Sequence, residues 1–174
     1  MHKPEFIRRV GQIFAGRSTN LPECAGIYAF WWVCPRADLM AGNRHIILKG
    51  PGERPVAVEY QDWWPEELFY PCLYVGKTTN VKQRFSLHIK RDCPGRLHLA
   101  HPENVKAEPK TTSCQLRFGI EHVFPNEADP LKVIFNCIGF SHREFPDKEI
   151  AERFFEEDRL VGIWRPWFNI DSER

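Results

Sequence analysis

Apolar side chains at Phe6, Ile7, Val10, Ile13 and Phe14 fall on one face of a helix predicted over residues 3–15, which Gly16 and the polar run to Asn20 end. The aromatic run at 25–33 (Ala-Gly-Ile-Tyr-Ala-Phe-Trp-Trp-Val) predicts a strand. Ile46-Ile47-Leu48 and Val56-Ala57-Val58-Glu59-Tyr60 predict two short strands around the turn signal Gly50-Pro51-Gly52, and Asp62-Trp63-Trp64-Pro65 opens an aromatic loop. Leu73 to Gly76 is a further strand. Asn80, with Gln83 three residues on, caps a helix from Val81 to Arg91 that turns Val81, Phe85 and Ile89 inward, with Arg84 and His88 along the edge of that stripe.

Beyond it, residues 92–113 are polar and loop-like, two more strands are predicted at 114–121 and 131–140, and Asp147 caps a helix running to about Gly162. Arg165-Pro166 stops that helix, and Trp167-Phe168-Asn169-Ile170 closes the domain. The implied order is α-β-(β-β)-β-α-β-β-α: a single α/β (α+β) domain with a small central mixed or antiparallel sheet flanked by helices.

Composition changes this picture little. At 174 residues, 43% hydrophobic and 13% aromatic, the chain is long and apolar enough to bury one core. The net charge of +1 says nothing as a total, but its distribution does. Lys82, Arg84, His88, Lys90, Arg91 and Arg96 fall close together, whereas acid collects from Glu144 to Glu157. A locally basic face suits a polyanion. No apolar run approaches the length of a membrane span, and residues 1–20 carry charge throughout, so a cytoplasmic protein is expected.

The six cysteines show no framework spacing, and in a reducing compartment they are expected to act as small buried hydrophobes. Cys93, His98, His101 and Cys114 could supply four zinc ligands, but their spacing matches no finger pattern.

The chemistry-bearing residues each have a plain reading. Arg84 and His88 are what a solvated basic helix carries. Tyr28 and Tyr74 are ordinary strand aromatics, and Gly26 and Gly76 mark a bulge or a close backbone approach. Glu157 needs more, because about 100° per residue puts Ile150, Phe154, Glu157 and Val161 on one side of their helix, opposite Glu149, Glu152, Glu156 and Arg159. A carboxylate beside an apolar face requires a partner, and Arg153, four residues away, is the nearest in sequence.

Taken in order, however, these residues resemble the GIY-YIG nucleases. Gly26-Ile27-Tyr28 matches the first half-motif and Tyr74-Val75-Gly76 the second, with Lys77 following it. Arg84 stands eight residues after Gly76, His88 four later, and Glu157 precedes Asn169 by twelve. The resemblance covers residues 25–33, 73–91 and about 147–170. It departs from the family in that Tyr28 and Tyr74 are 46 residues apart, so 34–71 reads as an insertion and 92–146 as a long excursion. Insertions of this kind most resemble the family's compact restriction endonucleases.

The resemblance implies a metal-dependent DNA endonuclease. Glu157 would hold one Mg²⁺ (or Mn²⁺) per active site, and Tyr28 would be the general base, with a cation such as Lys77, or a metal-bound water, favouring its phenolate. Arg84 would stabilise charge on phosphorus, Tyr74 and His88 would position substrate or relay protons, and Asn169 would fix the closing segment. The partner would be double-stranded DNA, with a homodimer needed to cut both strands. Arg44, His45, Lys49 and Arg54 flank the strands of the insertion, where a two-stranded ribbon fits the major groove. Lys82, Lys90, Arg91, Arg96, Lys106 and Lys110 are candidate phosphate contacts. Trp63, Trp64 and Phe69 either stack on bases or cap the sheet. A repair or mobile-element nuclease, and a catalytically silent binding module, are the alternatives.

Overall fold

The strand Gly26–Trp32, in which all seven residues are buried, is the spine of the molecule. A computed structural model describes residues 1–15, 19–49, 54–97, 114–145 and 150–170. In chain order the strands are β1 (Arg8–Arg9), β2 (Gly26–Trp32), β3 (His45–Lys49), β4 (Pro55–Glu59), β5 (Cys72–Thr78) and β6 (Ile138–Glu144). The helices are α1 (Val10–Ala15), α2 (Arg36–Met40), α3 (Val81–Ile89), α4 (Gln115–Val123), α5 (Pro130–Cys137) and α6 (Ile150–Trp164), and a 3₁₀ turn at Trp167–Asn169 follows. The main sheet has the order β1-β6-β2-β5 and is antiparallel throughout, and β3 and β4 form a separate antiparallel pair. The class is therefore mixed α and β, with an antiparallel sheet.

Strand alternation sorts the core into two layers. Phe30 packs on Phe85 of α3 and on Phe140 of β6. On the opposite face Trp31 meets Trp164 of α6, their ring centroids 4.8 Å apart, and its indole N–H donates to Ser141 Oγ at 2.8 Å. Helices α3 and α6 thus cover opposite faces. The insertion joins the same core through Leu39, Ile46, Leu48, Tyr60, Trp64 and Leu68. Its tryptophans cap the closing turn: Trp64 stacks on Trp167 at 4.6 Å, and the Trp63 indole donates to Arg165 O.

Four expectations are corrected. Residues 3–15 are not one helix. Pro4–Phe6 is a 3₁₀ turn, Arg8–Arg9 pairs with Gly139–Phe140 at the sheet edge, and only Val10–Ala15 is helical. Residues 114–121 are helical, because Arg117 and Glu121 lie inside as a buried ion pair at 2.8 Å, and charged residues on the inner face disguise the helical period. Residues 130–137 are helical too. Asp129 caps them, accepting from Leu131 N at 3.2 Å, and the strand begins only at Ile138. Finally, Cys34 and Cys137 are joined by a disulfide with Cα atoms 4.9 Å apart, rather than packing as separate thiols.

The turn Gly50-Pro51-Gly52, the cap Asp147, Glu149, His98, His101, Lys106 and Lys110 lie outside the described residues.

Candidate active site

Tyr28 sits opposite Gly76 in the β2–β5 ladder and opposite His142 in the β2–β6 ladder. Its ring crosses the edge strand at the place where Gly76 has no side chain: a Cβ there would lie 2.4 Å from the Tyr28 hydroxyl and 2.6 Å from Cζ. Gly26 answers a similar need, since a Cβ would come within 2.7 Å of Arg143 O and 2.9 Å of a Val81 methyl. Both glycines of the half-motifs are thus steric requirements of neighbouring groups.

α3 brings His88 to the same spot. Asn80 caps the helix by accepting from Gln83 N at 2.8 Å, which fixes the phase that turns Val81, Phe85 and His88 inward. His88 is fully buried, not at the edge of the stripe as its spacing predicts. The Leu116 N–H donates to its Nδ1 at 3.5 Å, so Nε2 carries the proton and donates to the Tyr28 hydroxyl at 2.8 Å. Burial, with the Arg84 guanidinium second, pushes its ionisation down to about 3, and His88 is a neutral donor at physiological pH.

Tyr28 is 1% exposed, and burial pushes its phenol well above the usual range. Tyr74 pushes it further, both by its proximity and by a hydrogen bond that keeps the proton on Tyr28, and Glu157 adds its negative charge; only Arg84 acts in the other direction. Lys77 does not supply the cation that the sequence reading gives Tyr28. Its ammonium is paired with Glu157. Arg84 itself is half-buried, and among the described residues its guanidinium has no hydrogen-bond or ion-pair partner.

Glu157 points inward from α6, but the buried face is Arg153, Glu157, Leu160 and Trp164. Ile150 and Phe154, expected beside it, are 66% and 48% exposed. Arg153 is not its partner either, since that guanidinium donates to Thr78 O at 3.2 Å. Glu156 faces away, bound to Arg159 at 2.7 and 2.9 Å and to Arg143 at 3.5 Å. Asn169 grips the edge strand with both ends of its amide, accepting from Val75 N and donating to Val75 O, each at 2.8 Å. The closing turn is thereby held against the strand that carries Tyr74, Gly76 and Lys77.

No family model, no curated protein and no solved structure matches this chain. The site is read from its own geometry.

Tyr28, Tyr74, His88 and Arg84 form one group, Lys77 and Glu157 a second, and the Glu157 charge reaches the Tyr28 hydroxyl. Four of the basic candidates are engaged elsewhere. Arg96 donates to the carbonyls of Glu121, Phe124 and Glu127, and so anchors its own loop instead of facing a polyanion. Arg44 pairs with Glu59 at 3.0 Å, Lys82 with Glu23 at 2.6 Å, and the Arg91 guanidinium lies over Phe14 at 5.0 Å. Lys90 is the left-handed C-cap of α3, at φ 52°. Lys49 ends β3, with its side chain outside the description.

The sequence reading misses the Arg117–Glu121 pair. That pair holds the loop after α3 through Ile89 O, Cys93 O and Leu97 N, and so seats α4, whose Leu116 N–H orients His88. An arginine and a glutamate four apart were the available signal.

Among the described residues no three His, Cys, Asp or Glu side chains are placed to cage a metal. One buried carboxylate, paired with an ammonium, is a donor set that fits a hydrated Mg²⁺ taking its remaining ligands from water and a phosphate oxygen. No helix among the described residues is long and apolar enough to cross a membrane.

Proposed function

We propose that this protein is a metal-dependent endonuclease of the GIY-YIG type, acting on double-stranded DNA in the manner of a compact restriction enzyme. One observation carries the reading: a half-buried Arg84 guanidinium with no acidic partner among the described residues acts electrostatically on both members of the Tyr28–His88 hydrogen bond, and the charge of the buried Glu157 acts on the same Tyr28. A guanidinium with no acidic partner among the described residues is a seat for an anionic oxygen, and a phosphodiester supplies one.

In this reading Arg84 binds the scissile phosphate and offsets charge as it develops on phosphorus. Glu157 would hold a single Mg²⁺, which would supply Lewis-acid stabilisation of the phosphate oxygens. Tyr28, once its own proton has been lost to solvent, would take the proton of the attacking water, His88 would steady the phenolate oxygen with its Nε2–H, and Tyr74 receives the Tyr28 hydrogen bond in the resting protein. Asn169 keeps the edge strand in place. One such site cuts one strand, so cleavage of both calls for a second copy.

The test is incubation with plasmid and phage DNA, with Mg²⁺ or with EDTA, beside Glu157→Ala and Glu156→Ala. Discrete Mg²⁺-dependent bands, absent for Glu157→Ala and kept for Glu156→Ala, are expected, with DNA binding retained in both. The deep burial of Tyr28 favours a second reading, a catalytically silent nucleic-acid-binding module. Binding without cleavage of any DNA or RNA, modified or unmodified, would decide for it.

A further inference from the structure

We propose that Lys77 occupies the cation position of Glu157 in the metal-free protein, so that its ammonium and a divalent ion compete for one carboxylate. The proposal rests on the metal-dependent reading above and deepens it.

Glu157 is 5% exposed, and a carboxylate so buried is costly unless a cation sits against it. Its helical neighbours do not serve. Arg153 turns to Thr78 O and Arg159 engages Glu156, as does Arg143 from β6. The balancing charge comes across from the sheet, from Lys77, the penultimate residue of β5. The carboxylate is therefore held in place by an ion pair with no metal present.

The chemistry of the partner also matters. An ammonium is a point charge on a flexible stem, whereas a guanidinium grips both carboxylate oxygens in a fixed fork. Lys77 therefore holds Glu157 in a way that a doubly charged ion can undo. It also has a second seat ready. Its Nζ lies 3.7 Å from the ring centroid of Phe154, a side chain 48% exposed at the surface of α6. An ammonium over an aromatic face, free to turn its tip to water, keeps part of its stabilisation after leaving the carboxylate.

The experiment is isothermal titration of the full chain with MnCl₂ near neutral pH and without nucleic acid. Lys77→Met is expected to bind Mn²⁺ roughly tenfold or more tighter than the wild type, because no ion has to be displaced. Lys77→Arg is expected to bind more weakly, and Glu157→Gln not at all. Lys77→Met leaves a buried carboxylate without its cation, so a measurement on the unaltered protein accompanies it. Brief acetylation followed by peptide mass spectrometry should show Lys77 labelling faster with Mn²⁺, while the exposed Lys82 and Lys132 are unchanged. Mn²⁺ uptake with unaltered Lys77 labelling, or with equal or weaker affinity in a folded Lys77→Met protein, overturns the competition and leaves the metal-dependent reading standing. Uptake that survives Glu157→Gln places the ion elsewhere and also overturns it. No Mn²⁺ uptake by any variant overturns both.

Discussion

Replacing Gly76 by alanine adds one methyl group at the point where the Tyr28 hydroxyl crosses the edge strand. The new Cβ would lie 2.4 Å from Oη, 2.6 Å from Cζ and 2.9 Å from a Tyr74 ring carbon. Ordinary contact needs about 3.5 Å, so the tip of Tyr28 must retreat by roughly 1 Å. It has nowhere to go. Its ring centroid lies 5.9 Å from Phe30, 6.1 Å from Phe140 and 5.5 Å from His88. Overpacking a close-packed site costs about 1–3 kcal/mol, and breaking the buried His88–Tyr28 bond adds about 1–3 kcal/mol. The gain from removing a glycine from a strand is at most about 1 kcal/mol, so the clash wins. A net loss of a few kcal/mol lowers the melting temperature of a chain this size by roughly 5–15 °C. If the site cleaves DNA, a displacement of about 1 Å should also cost on the order of a hundredfold in rate. Gly162 is the internal control. It is exposed on α6 with open space where a Cβ would go, so Gly162→Ala should stabilise by about 0.5–1 kcal/mol. A Gly76→Ala protein that melts at or above the wild-type temperature refutes the steric account of the second half-motif.

Two further predictions concern stability. Because folding depresses His88 to about 3 from 6.5, the unfolded chain binds the extra proton between those values, and stability should fall as pH drops through that window. Urea midpoints from pH 7 to 4 should show a shallower acid limb for His88→Gln than for the wild type; equal slopes would remove His88 from the linkage. The Cys34–Cys137 bond closes a loop of 103 residues, and its loss should cost up to about 4–5 kcal/mol by the chain-entropy account, read as a lower melting temperature in reductant and none in Cys34→Ser/Cys137→Ser.

What the sequence reveals is what local physics decides. The aromatic run of β2 and the Asn80–Gln83 cap of α3 require only neighbours in the chain. Local signals fail where distant partners override them. Arg8 and Arg9 are extended because β6 offers an open edge, which no pattern in the first fifteen residues announces. The strand expected at 114–121 is a helix in which Arg117 and Glu121 are each inside because the other is. At 130–137 the apolar residues Leu131, Val133, Ile134 and Phe135 suit either element, and the cap from Asp129 makes it a helix. For the site, residue types and spacing gather the right side chains but not their electrostatics. Glu157 is inward, on a face turned from the one expected, and its partner comes from another element. Nothing in the spacing of Cys34 and Cys137 marks them as a pair.

The electrostatics carry the argument one step further. The resting Tyr28 is a poor base, because burial, Tyr74 and Glu157 all hold its proton on, against Arg84 alone. One of those pushes is removable without moving the core. Glu157 acts on Tyr28 as a negative charge, and a doubly charged ion in place of the Lys77 ammonium adds one positive charge at that carboxylate. A positive charge added there acts against the push of Glu157, the smallest of those that hold the proton on Tyr28, and so favours the phenolate. On the proposed endonuclease reading, filling the carboxylate with an ion would therefore work in the same direction as ionising Tyr28. If the endonuclease reading holds, a phenol kept protonated by burial and a carboxylate paired with Lys77 describe the protein before an ion is bound, and a Tyr28 that ionises no more readily with Mn²⁺ than without it would refute the link.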